Sequence, residues 1–505
     1  MSKKIKLSYY VLIISFINLI LYQFPFYKFV YNNLEATSIN GFFLIVSLTI
    51  MLLFLNALIF YIVLYLFRLL GKWILVLLFN INAIAVYFIN TYGVIIDKTM
   101  IGNILNTRFE ESSSFLSLSL FFYVIVLGVL PSLFIFKIKY INVTLKKILM
   151  HVSLTLVFIL ALAYVNSSNW LWIDKNSKTL GGLVMPWSYI VNTNIYFLHK
   201  NQQNKKQILL PNATIKNNKK SLVVLVIGES ARSNNFSLYG YEKNTNPLLS
   251  KIKNVYHYKA ESCATYTTAG VKCILEYKKT NKLFEILPNY LFRNDVEVIW
   301  RTTNWGEPTV KIENYQNKND LEKLYKGENY NYDEVLLSGL REQILKSKKN
   351  KILVVLHTST SHGPTYYKKY PKQFNKFTPV CKSVELANCT QEELINAYDN
   401  TIIYTDYILA TLIEELKQLD KYNSSMIYIS DHGESLGEKN LYMHGIPASI
   451  APKEQLDIPF IVWVSDDSKQ LRNSKTLSQH NIFHSVLDFL EIESPIYNKN
   501  MSIFK

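Results

Sequence analysis

The apolar residues of this chain are crowded into its first third, and that uneven distribution restricts the fold more than any motif. Five runs ahead of residue 166 are long enough to cross a bilayer: approximately 9–26, 41–66, 73–89, 116–136 and 148–165. About 20 predominantly apolar residues are enough for a helix to span the hydrocarbon core. A helix suits such a segment because its backbone N–H and C=O groups find partners within it. The first run does not read as a cleaved signal peptide, because no small-residue cleavage site follows it and further runs come after. Orientation follows from the bases between the runs. Lys3, Lys4 and Lys6 precede the first run, Arg68 and Lys72 separate the second from the third, and Lys137, Lys139, Lys146 and Lys147 separate the fourth from the fifth. The other two loops mix in acids: Lys28 with Glu35, then Lys98 and Arg108 with Asp97, Glu110 and Glu111. The N-terminus is therefore expected in the cytoplasm, and everything after residue 166 on the outer side of the inner membrane.

The expected organisation of the 505 residues is a transmembrane domain over 1–166, an interfacial and flexible linker over 167–220, and a water-soluble domain over 221–505. Trp170, Trp172, Met185, Pro186 and Trp187 have the character of an interfacial belt. From Ser221 onward short β-branched runs alternate with helical patterns. Strands are predicted over 222–227, 295–300, 352–356, 425–430 and 458–464, and helices over 392–418 and 479–491. That alternation predicts an α/β domain with a mostly parallel sheet covered on both faces by helices. The net charge of +16 suits an acidic surface. With no basic-aromatic nucleic-acid motif, that surface is anionic lipid rather than nucleic acid, unless the Asn/Lys-rich composition alone raises the pI. The spans carry almost no ionisable residues, unlike the lining of a polar transport path.

Two predicted strands deliver carboxylates to loops. The run 222–227 ends in Gly228-Glu229-Ser230, and 426–429 ends in Ser430-Asp431-His432-Gly433-Glu434-Ser435. Open α/β sheets place ligand sites at such strand ends. His444 follows in Met443-His444-Gly445, and the strand over 352–356 runs into His357 and then Ser361-His362-Gly363-Pro364. Oxygen and nitrogen donors with spare histidines have the composition of a zinc site. Any one of these could instead be a turn or a helix cap, and His357 is expected to pack into its strand end. The cysteines fall in two close pairs, Cys263 with Cys273 and Cys381 with Cys389. In an oxidising compartment they read as two local disulfides, the rival being one thiolate zinc site. A bridged loop over 263–273 would hold a hydroxyl rigidly, at a helix N-terminus that favours phosphate; the plainer reading is that its threonines cap the helix.

The chain resembles the phosphoethanolamine transferases that modify lipid A, which include the mobile colistin-resistance enzymes of the alkaline phosphatase and sulfatase superfamily. The resemblance rests on Gly228-Glu229-Ser230-Ala231-Arg232, on Ser361-His362-Gly363-Pro364, on Phe377-Thr378-Pro379-Val380-Cys381, on Ser430 through Glu438, on His444-Gly445, and on Ala451-Pro452-Lys453-Glu454-Gln455. It implies an alkaline-phosphatase-like catalytic domain in the periplasm, carried by a multi-pass inner-membrane protein, expected to be a monomer. It implies zinc held by Glu229, Thr267, Asp431 and His432, with a second ion possible, and Thr267 as the nucleophile. His362 and His444 would bind the donor phosphate or a second metal, or serve as general acid and base. Asn103, Thr107 and Glu111 match positions that hold the donor's ethanolamine head, and their spacing of four predicts one helix face. The implied reaction moves phosphoethanolamine from phosphatidylethanolamine through a phospho-Thr267 intermediate to an envelope acceptor: lipid A first, otherwise a core sugar, a glycan or a periplasmic protein. The surface would lose negative charge and with it affinity for cationic peptides such as polymyxin.

The chain departs from the family at Ala264, where Gly is usual, at Lys272, where Pro is usual, and at Trp305-Gly306-Glu307-Pro308, where Ser and Lys often stand; Lys311 is a nearby base. The rival readings are a glycerophosphate transferase of the same superfamily and a non-catalytic lipid-binding or sensor protein. No Cys-x-Pro-x-Arg or Ser-x-Pro-x-Arg segment is present to make a sulfatase nucleophile.

Overall fold

The computed structural model describes residues 4–34, 39–107, 109–166, 170–203, 207–327, 330–466, 470–472 and 476–505. The chain divides into two compact units, Met1–Lys200 and Asn201–Lys505.

The first unit is helical. Among the described residues, Ile39–Tyr92, Leu118–Lys137 and Leu145–Val165 are long and apolar enough to cross a membrane. Leu7–Tyr22 and Phe24–Asn33, bent by 60°, make a further span if counted together. The 54 residues of Ile39–Tyr92 would make a straight rod of about 80 Å, far more than the roughly 30 Å of a hydrocarbon core. The helix is broken at Arg68, whose φ of 46° and ψ of −108° are not helical. A Cβ on Gly71 would lie only 2.8 Å from the carbonyl oxygen of Val63, so the chain doubles back there. Predicted runs 41–66 and 73–89 lie on either side of that break.

Over 167–220 the described residues form helices Trp170–Leu183 and Trp187–Gln203 and the short strand Thr214–Ile215, paired with Ile492–Glu493. Met185 and Pro186 are buried inside the helical unit. The Trp172 and Trp187 indoles donate to the Asn33 carbonyl and to Asn56 Oδ1, at 3.0 and 2.9 Å. The side chain of Trp170 lies outside the described residues.

The second unit is built on an eight-stranded sheet. Its strands are β1 (Ser221–Gly228), β2 (Val255–Glu261), β3 (Glu297–Thr302), β4 (Asn314–Gln316), β5 (Lys351–His357), β6 (Asn423–Ser430), β7 (Asp457–Val464) and β8 (Leu477–Ser478). Their spatial order is β8-β2-β7-β6-β1-β5-β3-β4. All pairings are parallel except those of β7, which runs antiparallel to both β6 and β2. The five predicted strands are all present. β2 was not legible because its sequence, Val-Tyr-His-Tyr-Lys-Ala-Glu, is half exposed and carries no apolar run.

Central strand β1 is buried along its whole length. One parity of the strands (Val223, Leu225, Ile227, Leu353, Val355, Ile427, Ile429) packs against α1 (Thr267–Leu275), α2 (Leu287–Arg293) and α4 (Asn481–Phe489). The other parity (Leu222, Val224, Val226, Met426, Tyr428) is just as fully buried, as expected of a parallel sheet covered on both faces. Each such side chain contributes about 1.5–3 kcal/mol. The long helix α3 (Gln391–Lys417) starts in a capping box in which the Thr390 hydroxyl accepts from Glu393 N–H and the Glu393 carboxylate from Thr390 N–H. It reaches the edge of the site through Tyr398, whose hydroxyl donates to the Ser230 carbonyl at 2.7 Å.

Candidate active site and metal centre

Strand register places the carboxylates. Gly228 of β1 is paired with Ser430 of β6, so Glu229 and Asp431 leave neighbouring strands, about 4.8 Å apart, at the same level. Ser230 takes a left-handed φ of 53°, a costly conformation for a non-glycine residue that gathers at functional sites. The turn lets its N–H donate to Asp431 Oδ1 at 3.0 Å and its hydroxyl to Glu229 Oε1 at 2.6 Å. Ser230 thus fixes one oxygen of each carboxylate.

The remaining oxygens converge with two further groups. Thr267 is the first residue of α1, and the preceding Tyr266 makes no side-chain cap. The Thr267 hydroxyl therefore does not cap the helix. It lies 3.4 Å from Glu229 Oε2 and 3.3 Å from His432 Nε2. His432 Nε2 is in turn 3.5 Å from Glu229 Oε1 and 3.4 Å from Asp431 Oδ2. Its other nitrogen, 2.9 Å from the Gly433 carbonyl, holds the ring with Nε2 facing inward. Asp431 Oδ2 is buried with no hydrogen-bond partner, which is costly unless a cation or donor completes it. All four members of the predicted zinc set meet at one place. Glu229, His432 and His444 can also bring three ligand atoms within 4.8 Å of one another, so His444 lies close enough to join a metal.

The electrostatics suit a cation. Burial would raise Glu229, but His432, His362 and His444 outweigh it and hold the carboxyl well below its usual range. Asp431 goes the other way: burial, then the Glu229 charge, push it far above the ordinary aspartate value. Two buried carboxylates facing one cavity cannot both ionise cheaply without a positive charge between them. Glu434 is pushed up to about 8 by burial and sits 3.3 Å from His444 Nδ1. His362 stacks edge-on to His444 with ring centroids 5.2 Å apart, and its Nδ1 lies 2.7 Å from the Gly363 carbonyl.

Several residues of the site had no assigned role in the sequence. Asn304, just past β3, donates to Glu229 Oε2 at 2.6 Å and to the Thr358 carbonyl at 2.8 Å. Gln479 donates to the Asp431 carbonyl at 2.6 Å and accepts from Cys263 N–H at 3.0 Å, tying the metal loop to the bridged loop. Asn304 could have been found by its strand-end position; nothing in the sequence marks Gln479. His357 is packed at its strand end as expected, buried with Nδ1 3.5 Å from Glu307 Oε2. Lys311 is exposed and its backbone N–H donates to Asn289.

One expectation fails. Asn103, Thr107 and Glu111 do not share a continuous helix face. The helix Lys98–Asn106 stops at Thr107, whose ψ of 131° is extended, and Phe109–Ser114 is a separate helix. The Thr107 hydroxyl turns back onto the Asn103 carbonyl at 2.7 Å. The side chain of Glu111 lies outside the described residues.

Both disulfides are formed, Cys263–Cys273 and Cys381–Cys389, which excludes the thiolate zinc site. The first bridges the start of the loop to the second turn of α1 and so fixes Thr267. A Cys263→Ser, Cys273→Ser variant is expected to lose about 2–4 kcal/mol, read as a lower Tm on thermal unfolding. Gly270 sets the distance between α1 and the metal loop: a Cβ there would lie 2.1 Å from the Asp431 carbonyl oxygen. Gly270→Ala must therefore push the two apart, at a cost of about 1–3 kcal/mol. Metal content, measured by elemental analysis on folded protein, is expected to fall with it.

The soluble unit matches the Sulfatase family over residues 221–492, and residues 42–201 match Phosphoethanolamine transferase EptA/EptB. Over 510 aligned residues the chain is 40% identical to phosphoethanolamine transferase EptA of Helicobacter pylori, covering 98% of this chain and 96% of that protein. The chain belongs to the phosphoethanolamine transferase family. Within it, this transferase is also 34% identical to phosphatidylethanolamine transferase Mcr-1 of Escherichia coli, over 79% of each chain. Its fold is similar to that of the integral membrane lipooligosaccharide phosphoethanolamine transferase A of Neisseria meningitidis, with a TM-score of 0.89, 25% identity and 99% of both chains covered. It is thus a membrane-bound transferase with an alkaline-phosphatase-like soluble domain.

Proposed function

We propose that this transferase moves phosphoethanolamine from phosphatidylethanolamine to lipid A in the outer half of the cell envelope, with Thr267 as the covalent carrier. The observation that carries the reading is the Thr267 hydroxyl, held off its own helix and within 3.4 Å of Glu229 and 3.3 Å of His432. The donor class is the one in the name of the Escherichia coli phosphatidylethanolamine transferase Mcr-1, and lipid A is the acceptor in the name of the Escherichia coli Kdo(2)-lipid A phosphoethanolamine 7''-transferase. Five spans are supported by the break at Arg68, which divides one over-long helix into two segments of span length. With the N-terminus in the cytoplasm, an odd number of spans puts the soluble unit in the periplasm.

Glu229, Asp431, His432 and the Thr267 hydroxyl form a donor set suited to zinc, and the unsatisfied Asp431 Oδ2 fits a cation there. When bound, zinc supplies positive charge that lowers the hydroxyl pKa and screens the two carboxylates. Thr267 Oγ1 gives its proton to His444 or His362 and attacks phosphorus, the bond to the glycerol oxygen breaks, and diacylglycerol leaves as its alcohol by taking a proton back. Its place at the first turn of α1 aims free N–H groups at the phosphoryl oxygens. His444, oriented by Glu434, is positioned to give that proton, with His362 beside it. In the second half an acceptor phosphate oxygen attacks the phospho-threonine and Thr267 Oγ1 leaves. Asn103, Thr107 and Glu111 remain the donor-head residues of the reading, with Asn103 and Glu111 on two separate short helices and Thr107 at the break between them.

Intact mass of the full chain incubated with phosphatidylethanolamine tests this. A gain of about 123 Da on the wild type is expected for a covalent phosphoethanolamine. A glycerophosphate adduct from another lipid would move the chain to the glycerophosphate reading. No adduct from any lipid, with zinc bound, would support the non-catalytic one.

A further inference from the structure

The backbone that leaves β3 passes beside Thr267. Asn304 fixes the start of this stretch through its bonds to Glu229 Oε2 and the Thr358 carbonyl. Two residues on, Gly306 faces the Thr267 side chain: a Cβ there would lie 3.2 Å from Thr267 Cγ2 and 3.3 Å from Thr268 Cγ2. Carbon atoms in good contact sit about 3.5–4.0 Å apart, so the space between Gly306 and the Thr267 methyl has no room for a second methyl. The φ of Gly306 is 98°, a turn open to glycine and costly for other residues.

The far end of the stretch is anchored across β3. Glu307 Oε1 accepts from the Tyr315 hydroxyl at 2.6 Å, and Oε2 lies 3.5 Å from His357 Nδ1. Tyr315 belongs to β4 and the fully buried His357 to β5, the two neighbours of β3. Burial disfavours charge on both groups, yet each partner outweighs it for the other: the imidazole is raised and the carboxyl lowered from their ordinary values. Removing one member of such a buried pair strands the other. Pro308 follows and favours an extended backbone at Glu307. Trp305-Gly306-Glu307-Pro308 is also the segment in which the chain departs from the family's usual Ser and Lys.

The consequence falls on χ1 of Thr267. Its hydroxyl and methyl occupy two of the three staggered positions together. With the methyl at Gly306, the hydroxyl points to Glu229 and His432, 3.4 and 3.3 Å away. Rotation to either other well carries the hydroxyl off those two groups. We infer that Gly306 and Glu307 are positioning residues for Thr267, the glycine seating its methyl and the Glu307–His357 pair holding the glycine in place. A serine would lack the methyl by which the loop sets the hydroxyl. The effect on rate rests on the proposed role of Thr267 as nucleophile; the seating of its side chain does not.

The test is a double-mutant cycle on the full chain in detergent with zinc bound. Glu307→Ala and Gly306→Ala are each made in the parent and in Thr267→Ser, and formation of the phosphoethanolamine adduct is followed by intact mass. In the parent each is expected to slow adduct formation about tenfold at unchanged donor KM, the result of a misplaced reacting group. In Thr267→Ser, which has no methyl to seat, each should slow it by less than about twofold. Strain at the positive φ and general loosening act equally on both backgrounds. An equal fold loss in the two therefore overturns the inference, as does no loss in the parent. Should Gly306→Ala not fold, Glu307→Ala carries the cycle. A second readout needs no turnover. In protein with isotope-labelled threonine methyls, the Thr267 signal is identified by its loss in Thr267→Ser. It is expected to be well ordered in the parent and to lose order in Glu307→Ala; an unchanged signal overturns the inference. Loss of order in a protein that forms no adduct with any lipid leaves the seating in place and sinks the transfer reading alone.

Discussion

Thr267→Ala is expected to reduce transfer by at least about 10³-fold, because loss of a covalent nucleophile removes the step itself rather than tuning it. Folding should be little affected. The Thr267 side chain caps nothing, and its hydroxyl makes only long contacts to Glu229 and His432. A wild-type Tm with zinc retained but transfer lost is the expected signature, read from fluorescent-lipid transfer and thermal melts. Thr267→Ser keeps the oxygen but frees its rotamer, since the β-branch that restricts χ1 is gone; it should retain part of the activity. If the alanine variant transfers at the parent rate, the nucleophile lies elsewhere and the covalent reading fails.

Metal removal should have the next largest effect, on stability as well as activity. Glu229 and Asp431 each have one oxygen fixed by Ser230; Asn304 holds the other oxygen of Glu229, while Asp431 Oδ2 is buried without a hydrogen-bond partner. In the metal-free chain that arrangement confines two buried carboxylates, and the Asp431 carboxyl rises because burial and Glu229 disfavour its charge. A bound dication relieves both. At 100 times its dissociation constant it stabilises the fold by about 2.7 kcal/mol through linkage alone, so chelation should lower Tm measurably and zinc should restore it. Asp431→Asn should weaken zinc by more than tenfold, since a neutral amide is a poor ligand beside a carboxylate. Glu229→Gln should do likewise, and also disturb Asn304, which donates to that carboxylate at 2.6 Å. Unchanged metal content in both variants would move the metal to other donors.

How much of this was readable in the chain depended on whether a feature is local. The strands β1, β5, β6 and β7 are continuous apolar runs because both faces of a parallel sheet are buried, and their ends name themselves by a polar switch at Glu229, His357 and Asp431. The membrane runs are legible for the same reason: apolar length is a property of a segment. The cysteine pairs are close enough in sequence for their bridges to be seen. Where the signal is shared between distant segments it fails. β2 is half exposed and owes its pairing to β7. The face expected of Asn103, Thr107 and Glu111 was an extrapolation of helical spacing through Thr107, where the backbone turns extended.

The sequence by itself determined the two-part plan, the strand-end carboxylates and the type of chemistry, because residue type and spacing along one segment are enough for burial, turning and ligation. Only the tertiary structure decided which groups meet. The register of β1 against β6 brings Glu229 level with Asp431, the left-handed Ser230 ties one oxygen of each, and the close packing of Gly270 on the Asp431 carbonyl carries the Thr267 hydroxyl to His432. Gln479 and Asn304 acquire their places from contacts across 48 and 75 residues of chain. A hydrogen bond or a shared void between distant segments leaves no periodicity in either one.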